Sequence, residues 1–233
     1  MLVYGKNVAL EYLKKSEKVR KIYLQDNFHD EKIKTLMEKT KIPVNICSKS
    51  ELDQLANSLH QGIILDVVDF SYCSLDDFLN KDDCFLVILD HLQDPHNFGA
   101  IIRTSEAAGV DGIIIPKDRG VSVNGTVIKT SVGASENMSI SMVTNLNQTI
   151  KELKNNGFWI VGTDIQNSQD YREIDYSGKV AIVIGNEGTG MSRIVRESCD
   201  FIARIPMYGK VNSLNASVAA GIMIYEVIRQ KKG

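Results

Sequence analysis

The chain is poor in the residues that mark specialised chemistry. Of its 233 residues only 4 are cysteine, 4 are proline and 1 is tryptophan, and aromatics make up 7%. The cysteines, at positions 47, 73, 84 and 199, form no CxxC pair. That excludes a paired-thiol zinc site and a thioredoxin-type redox motif, and reads as structural thiols in a reducing cytosol. No run of about 18 apolar residues exists, so no membrane-spanning helix is expected. The opening MLVYGKNVALEYLKK reads as an amphipathic helix without the apolar stretch of a signal peptide. The chain has no GxSxG elbow, no HExxH and no Gly-Lys-Ser/Thr phosphate loop. The nearest approach to a metal cluster is the loop carrying Asp90, His91, Asp94 and His96, whose spacing matches no zinc pattern. No metal is expected.

What is present is the composition of a folded globular protein, 43% hydrophobic and 24% charged, of a length that suits one large domain or a medium and a small one. Charge is unevenly spread. Residues 1–50 carry 11 Lys and Arg against 6 Asp and Glu, a net of +5. Residues 51–100 carry 1 against 10, a net of −9, and residues 101–233 carry 15 against 13, a net of +2. The basic N-terminal stretch is either a solvated surface or a small module that holds RNA.

Hydrophobic periodicity divides the chain in two. Over the first 70 residues, helices near 5–15 and 30–40, and one opened by Ser48 or Ser50, alternate with strands near 20–24, 43–47 and 61–68. The acidic stretch DFSYCSLDDFLNKDD has no long apolar run and marks a boundary. Domains are expected at 1–72 and 84–233 with a linker at 73–83. From Cys84 onward, strands at 84–90, 111–116, 158–164, 179–185 and 200–206 alternate with helices at 98–108, 124–131, 146–156 and 191–197. A final helix starts near 214. Asn97 is the expected cap of the helix at 98–108 and Gly109 its terminator. This pattern predicts a mostly parallel sheet flanked by helices.

Three loops that follow strands gather the suggestive polar residues. In the first, Gly99, Arg103 and Glu106 share one helix face, so Glu106 can steady the guanidinium; an ordinary surface ion pair has the same spacing. The second, IGNEGTGMS (184–192), places Glu187 among three glycines that permit close backbone approach, although a plain turn explains the glycines equally well. The third, IPMYGKVNSLNASVAAGIMIYE (205–226), runs from a strand end through a polar patch into a helix apolar on nearly all sides. Ser213 and Asn215 there serve as helix caps or as site residues, and such a helix is expected to be covered on two faces.

Taken together, the segments DPHNFGAIIRTSEAAG, IGNEGTGMS and IPMYGKVNSLNASVAAG resemble, in order and spacing, the three motifs of the SpoU/TrmH group of SPOUT methyltransferases. The segments YGKNVALEYL and LHQGIILDV resemble the small substrate-binding domain often fused in front, so the resemblance spans the chain. It implies a C-terminal trefoil knot preceded by a small α/β RNA-binding domain. S-adenosylmethionine would be held at Thr163, Gly185, Asn186, Gly188, Ile205, Met207, Ser213, Leu214 and Ala216. Arg103, Asn97, Glu187, Ser213 and Asn215 would be catalytic. It further implies a cytoplasmic homodimer, formed through the C-terminal helix, that methylates a ribose 2′-hydroxyl without a metal. The resemblance is closest to enzymes acting on guanosine of 23S ribosomal RNA. Transfer RNA and drug-resistance sites on ribosomal RNA are alternative targets within the group, and a non-catalytic RNA-binding protein is the alternative of another class. Position 212 is Asn where similar proteins often carry an acidic residue.

Overall fold

The structure is a computed structural model of the chain and describes residues 1–56 and 59–233. Two compact units are present: Met1–Ser71 with Val123–Glu136, and Tyr72–Ser122 with Asn137–Gly233.

The first unit opens with β1 (Leu2–Tyr4), α1 (Lys6–Lys14), β2 (Val19–Gln25), α2 (Glu31–Glu38), β3 (Val44–Cys47), α3 (Lys49–Leu55) and β4 (Ile63–Val67). Its sheet has the order β1-β4-β2-β3, with β2 and β3 parallel and the other pairs antiparallel. Of the two serines expected to open α3, Ser48 does so: its hydroxyl accepts from Glu51 N while the Glu51 carboxylate accepts from Ser48 N, a reciprocal cap. Strand β1 escapes the sequence pattern because three residues are too few to show a period.

The second unit begins with α4 (Asp76–Leu79), β5 (Phe85–Leu89), α5 (Pro95–Ala108) and β6 (Gly112–Pro116). The chain returns to the first unit for α6 (Gly125–Thr130). That stretch is tied there by Tyr4 Oη and Thr126 Oγ1 at 3.1 Å, and by Tyr12 Oη donating to Glu136 Oε1 at 2.7 Å. A Cβ on Gly125 would lie 2.5 Å from Leu2 O, so only glycine allows this approach. The second unit then resumes with β7 (Ile140–Val143), α7 (Leu146–Asn155), β8 (Trp159–Thr163), β9 (Gln169–Asp170), β10 (Val180–Ile184), α8 (Arg193–Ser198), β11 (Phe201–Arg204) and α9 (Ala216–Lys232).

Its seven strands run β7-β6-β5-β10-β8-β11-β9, and every neighbouring pair is parallel. FLVIL of β5 and VAIVI of β10 are buried at every position, as central strands covered on both faces must be. Phe78, Leu86, Ile88, Ile114, Ile150, Leu153, Ile160, Val183 and Val195 belong to one core cluster.

Helix α5 begins earlier than expected. Asp94, not Asn97, is its cap: Asp94 Oδ1 accepts from His96 N at 2.9 Å, and Pro95 takes the first helical position, where a missing N–H costs nothing. Asn97 therefore lies in the first turn with its side chain released from capping. Gly109 ends the helix in the left-handed conformation, φ 75°.

Candidate active site

In a parallel sheet, the carboxyl ends of adjacent strands lie together, and ligands bind in the crevice outside them. Thr163 ends β8, Gly185 follows β10 and Ile205 follows β11. Because β10, β8 and β11 are neighbours in the order β10-β8-β11, these three expected donor contacts share one edge. Thr163 Oγ1 donates to Val183 O at 2.9 Å, which ties the ends of β8 and β10.

The loop after β10 is folded back on itself. Asn186 and Gly190 exchange backbone hydrogen bonds of 3.0 and 2.9 Å. A Cβ on Gly185 would lie 2.4 Å from both Gly190 C and Met191 N, so the glycine is required by close approach. Asn186 fixes the loop from within: its Nδ2 donates to His91 O at 2.8 Å while its Oδ1 accepts from Gly188 N and Thr189 N.

The three polar loops meet in one amide relay. Asn215 Nδ2 donates to Asn97 Oδ1 at 2.9 Å, and Asn97 Nδ2 donates to Glu187 Oε1 at 3.0 Å. The direction of the relay is forced. A carboxylate only accepts, so Asn97 must present its NH2 to Glu187 and its oxygen to Asn215. Asn215 must then donate with Nδ2, which leaves its Oδ1 for the start of α9, where it accepts from Ser217 N at 2.9 Å and Val218 N at 3.4 Å. Asn215 is thus both the cap of α9 and a member of the relay. Asp94 N also donates to Glu187 Oε1, at 3.4 Å. Asn97 is buried, whereas Glu187 and Asn215 are exposed, so the relay leads from a packed first turn to the solvent side of the loops.

Other expected residues lie outside this relay. Arg103 is exposed on α5, and among the described residues no hydrogen bond or ion pair reaches its guanidinium. The expected support from Glu106 is absent as well; both side chains are exposed, where water competes with an ion pair worth at most about 1 kcal/mol. Ser213 and Gly188 are exposed; Ile205, Met207 and Leu214 are half-buried; Ala216 is buried. Ser213 is not the cap of α9, since Asn215 takes that place. The helix α9 packs on α5, with Ala216, Ala220, Met223, Ile224 and Val227 buried, while Val218 and Tyr225 are 50% and 54% exposed. Among the described residues, no group of three or more His, Cys, Asp and Glu is disposed to hold a metal ion.

One group named in the sequence only for its metal-like spacing has a structural role there. Asp90 is buried at the end of β5, where its carboxylate accepts from Ser192 N and pairs with His91 Nδ1, each at 2.6 Å. The signal was there: an acidic residue closing the apolar run CFLVILD needs partners if the strand is buried.

A wholly parallel sheet whose strand-end loops are joined by one relay defines an α/β protein, with its candidate site at the carboxyl edge. The chain belongs to the SpoU rRNA methylase family, whose model matches residues 84–225. A second model, for RNA 2′-O ribose methyltransferase substrate binding, matches residues 2–73. A Staphylococcus epidermidis protein assigned to the TrmH family of tRNA/rRNA methyltransferases is 44% identical, covering 99% of this chain and 96% of its own length. The crystal structure of the SpoU methyltransferase AviRb from Streptomyces viridochromogenes, in complex with the cofactor AdoMet, aligns with a TM-score of 0.85 at 25% identity, over 99% of this chain and 90% of that one. The AdoMet-bound rRNA methyltransferase from Sinorhizobium meliloti aligns with a TM-score of 0.83 at 26% identity, over 100% and 88%.

Proposed function

We propose that the protein transfers the methyl group of S-adenosylmethionine to a ribose 2′-hydroxyl of RNA, and that its target is a guanosine of 23S ribosomal RNA. The observation that carries this reading is the relay Asn215–Asn97–Glu187, which links all three motif loops through side chains. The donor fits the chain's own groups. The carboxyl edge of β10, β8 and β11 offers backbone N–H and C=O groups beside Thr163, Gly185, Asn186, Gly188, Ile205, Met207, Ser213, Leu214 and Ala216, and Glu187 supplies a negative charge for a sulfonium. When bound, S-adenosylmethionine supplies an electrophilic methyl group.

The chain's residues then have distinct tasks. A 2′-hydroxyl becomes a good nucleophile only as its proton leaves, so the site must stabilise a developing alkoxide and hold it in line. Arg103, with no partner among the described residues, has its guanidinium available for that oxygen or a neighbouring phosphate. A guanidinium offers donors and no acceptor, so it acts as an electrostatic stabiliser rather than a base. Asn97 and Asn215 orient Glu187, and Ser213 faces the ribose from the third loop. The strand order β5-β10-β8-β11 supports a trefoil knot in the C-terminal part. The half-exposed Val218 and Tyr225 of α9 support a homodimer that covers them. The reading places the enzyme in the cytoplasm.

The test is Arg103→Ala with donor binding measured by calorimetry. Methyl transfer from labelled donor to unmodified ribosomal RNA should fall by more than about 10²-fold while donor affinity is unchanged. Retained transfer removes Arg103 from the mechanism. Transfer to unmodified transfer RNA, with none to ribosomal RNA, moves the target to the alternative substrate class.

A further inference from the structure

A cavity of about 700 Å³ opens at the carboxyl edge of the sheet, at the ends of β5, β6, β7 and β10. Asp90, His91, Asp118, Arg119, Asn147 and Thr189 are among the groups lining it. Of the expected donor contacts only Asn186 touches it, and that side chain is already occupied on both its nitrogen and its oxygen. We infer that this cavity takes a nucleotide of the substrate RNA that flanks the methylated ribose, with its phosphate on Arg119; the inference rests on the proposed function.

Four observations carry it. The volume falls within the range of about 300–1,000 Å³ usual for small-ligand sites. Two non-glycine residues on its wall, His91 at φ 58° and Arg119 at φ 55°, are held in the left-handed region, a strained conformation that concentrates where side chains are aimed at ligands. His91 is the better fixed of the two, with its carbonyl held by Asn186 Nδ2 and its Nδ1 by Asp90 Oδ1. A carboxylate cannot donate, so Nδ1 carries the hydrogen and, in the neutral ring, Nε2 is an acceptor with no partner among the described residues. Arg119 and Asp118 are likewise exposed and without a partner among the described residues. The wall thus offers a cation for a phosphate, and a donor–acceptor mixture for a base edge, which is how unstacked RNA bases are read. Finally, Asn186 on the cavity wall is followed directly by Glu187 of the relay, so a nucleotide in the cavity lies next to the site where the ribose reacts.

The experiment is Arg119→Gly, chosen because glycine takes φ 55° without strain, so a misfolded loop does not explain a loss; Arg119→Lys keeps the charge. RNA affinity is measured by filter binding to a transcript of bacterial large-subunit ribosomal RNA at several salt concentrations, and donor affinity by calorimetry. The expected result is RNA binding weakened about tenfold in Arg119→Gly, a salt slope reduced by about 1, partial recovery in Arg119→Lys and unchanged donor affinity. Unchanged RNA affinity and slope overturn the inference; so does a matching loss of donor affinity, which gives the cavity to the donor. Wild-type protein that transfers no methyl group, yet shows the expected loss of RNA affinity in Arg119→Gly, sinks the proposed function and leaves the cavity assignment standing.

Discussion

Breaking the relay at both amides measures whether the three loops act as a unit. Asn97 is 6% exposed and makes two side-chain hydrogen bonds. A net neutral hydrogen bond contributes about 1 kcal/mol, and one to a charged group about 1.5–3 kcal/mol. Glu187 is exposed and regains water when abandoned, so the lower end applies. Asn97→Ala should then cost about 2–3 kcal/mol. Asn215→Ala loses the shared bond and the cap of α9, about 2 kcal/mol together. Because the Asn97–Asn215 bond is counted in both variants, the double variant should fall short of the sum by about 1 kcal/mol. Urea denaturation of the four proteins gives this coupling. Asn215→Ser is the control: serine retains the cap but is too short to make the same bond, so it should lose only about 1 kcal/mol. Additivity within about 0.3 kcal/mol would refute the relay as a coupled element, and methyl transfer retained in both single variants would refute its role in positioning.

Asn97→Asp sets a carboxylate against Glu187, where Asn97 now sits at 3.0 Å; two like charges this close raise the pKa of one of them. The folded state then binds the extra proton, so stability should be lost as pH rises above about 4 and regained on acidification, as thermal melts between pH 4.5 and 8 will show. Gly185→Ala drives a Cβ into the Gly190–Met191 backbone and should cost about 1–3 kcal/mol and abolish donor binding by calorimetry. Burial pushes the thiol of Cys84 up to about 11, and burial with the nearby Asp200 pushes that of Cys199 up to about 12. Both should resist alkylation at pH 8, read by mass spectrometry, and any rapid modification there would reveal local opening. Their raised values also mean that stability is lost as pH rises from the unfolded thiol range towards 11–12.

Much of the fold was legible because its strands announce themselves: runs such as FLVIL and VAIVI have no polar face to show and demand cover on both sides. The three polar loops that the relay joins stood out for a different reason, as each joins a strand end to glycines and polar residues that packing does not require. The labelled elements missed were β1, α4, β7 and β9, of three, four, four and two residues, which hold too few positions for a period. The cap of α5 was misplaced because Asn97 and Asp94 are both good caps; Pro95 decides between them by favouring the first helical position. Ion-pair support for Arg103 from Glu106 was inferred from spacing alone, and spacing does not show which of two exposed side chains prefers water. The relay itself links residues up to 118 positions apart, a closeness that no local pattern encodes.

The allegiance of residues 123–136 has a consequence for any attempt to separate the two units. The chain passes from one unit to the other at 71–72, at 122–123 and at 136–137, so a single cut frees neither. Removing the first 71 residues strips the covering from Val127 and Ile128, both fully buried, and takes Tyr12 and Lys18 away from the Glu136 carboxylate. A stable second unit therefore needs a second excision, with a connector joining Ser122 to Asn137. A transplant of the N-terminal unit onto another enzyme likewise has to carry its second piece with it, as a two-part graft.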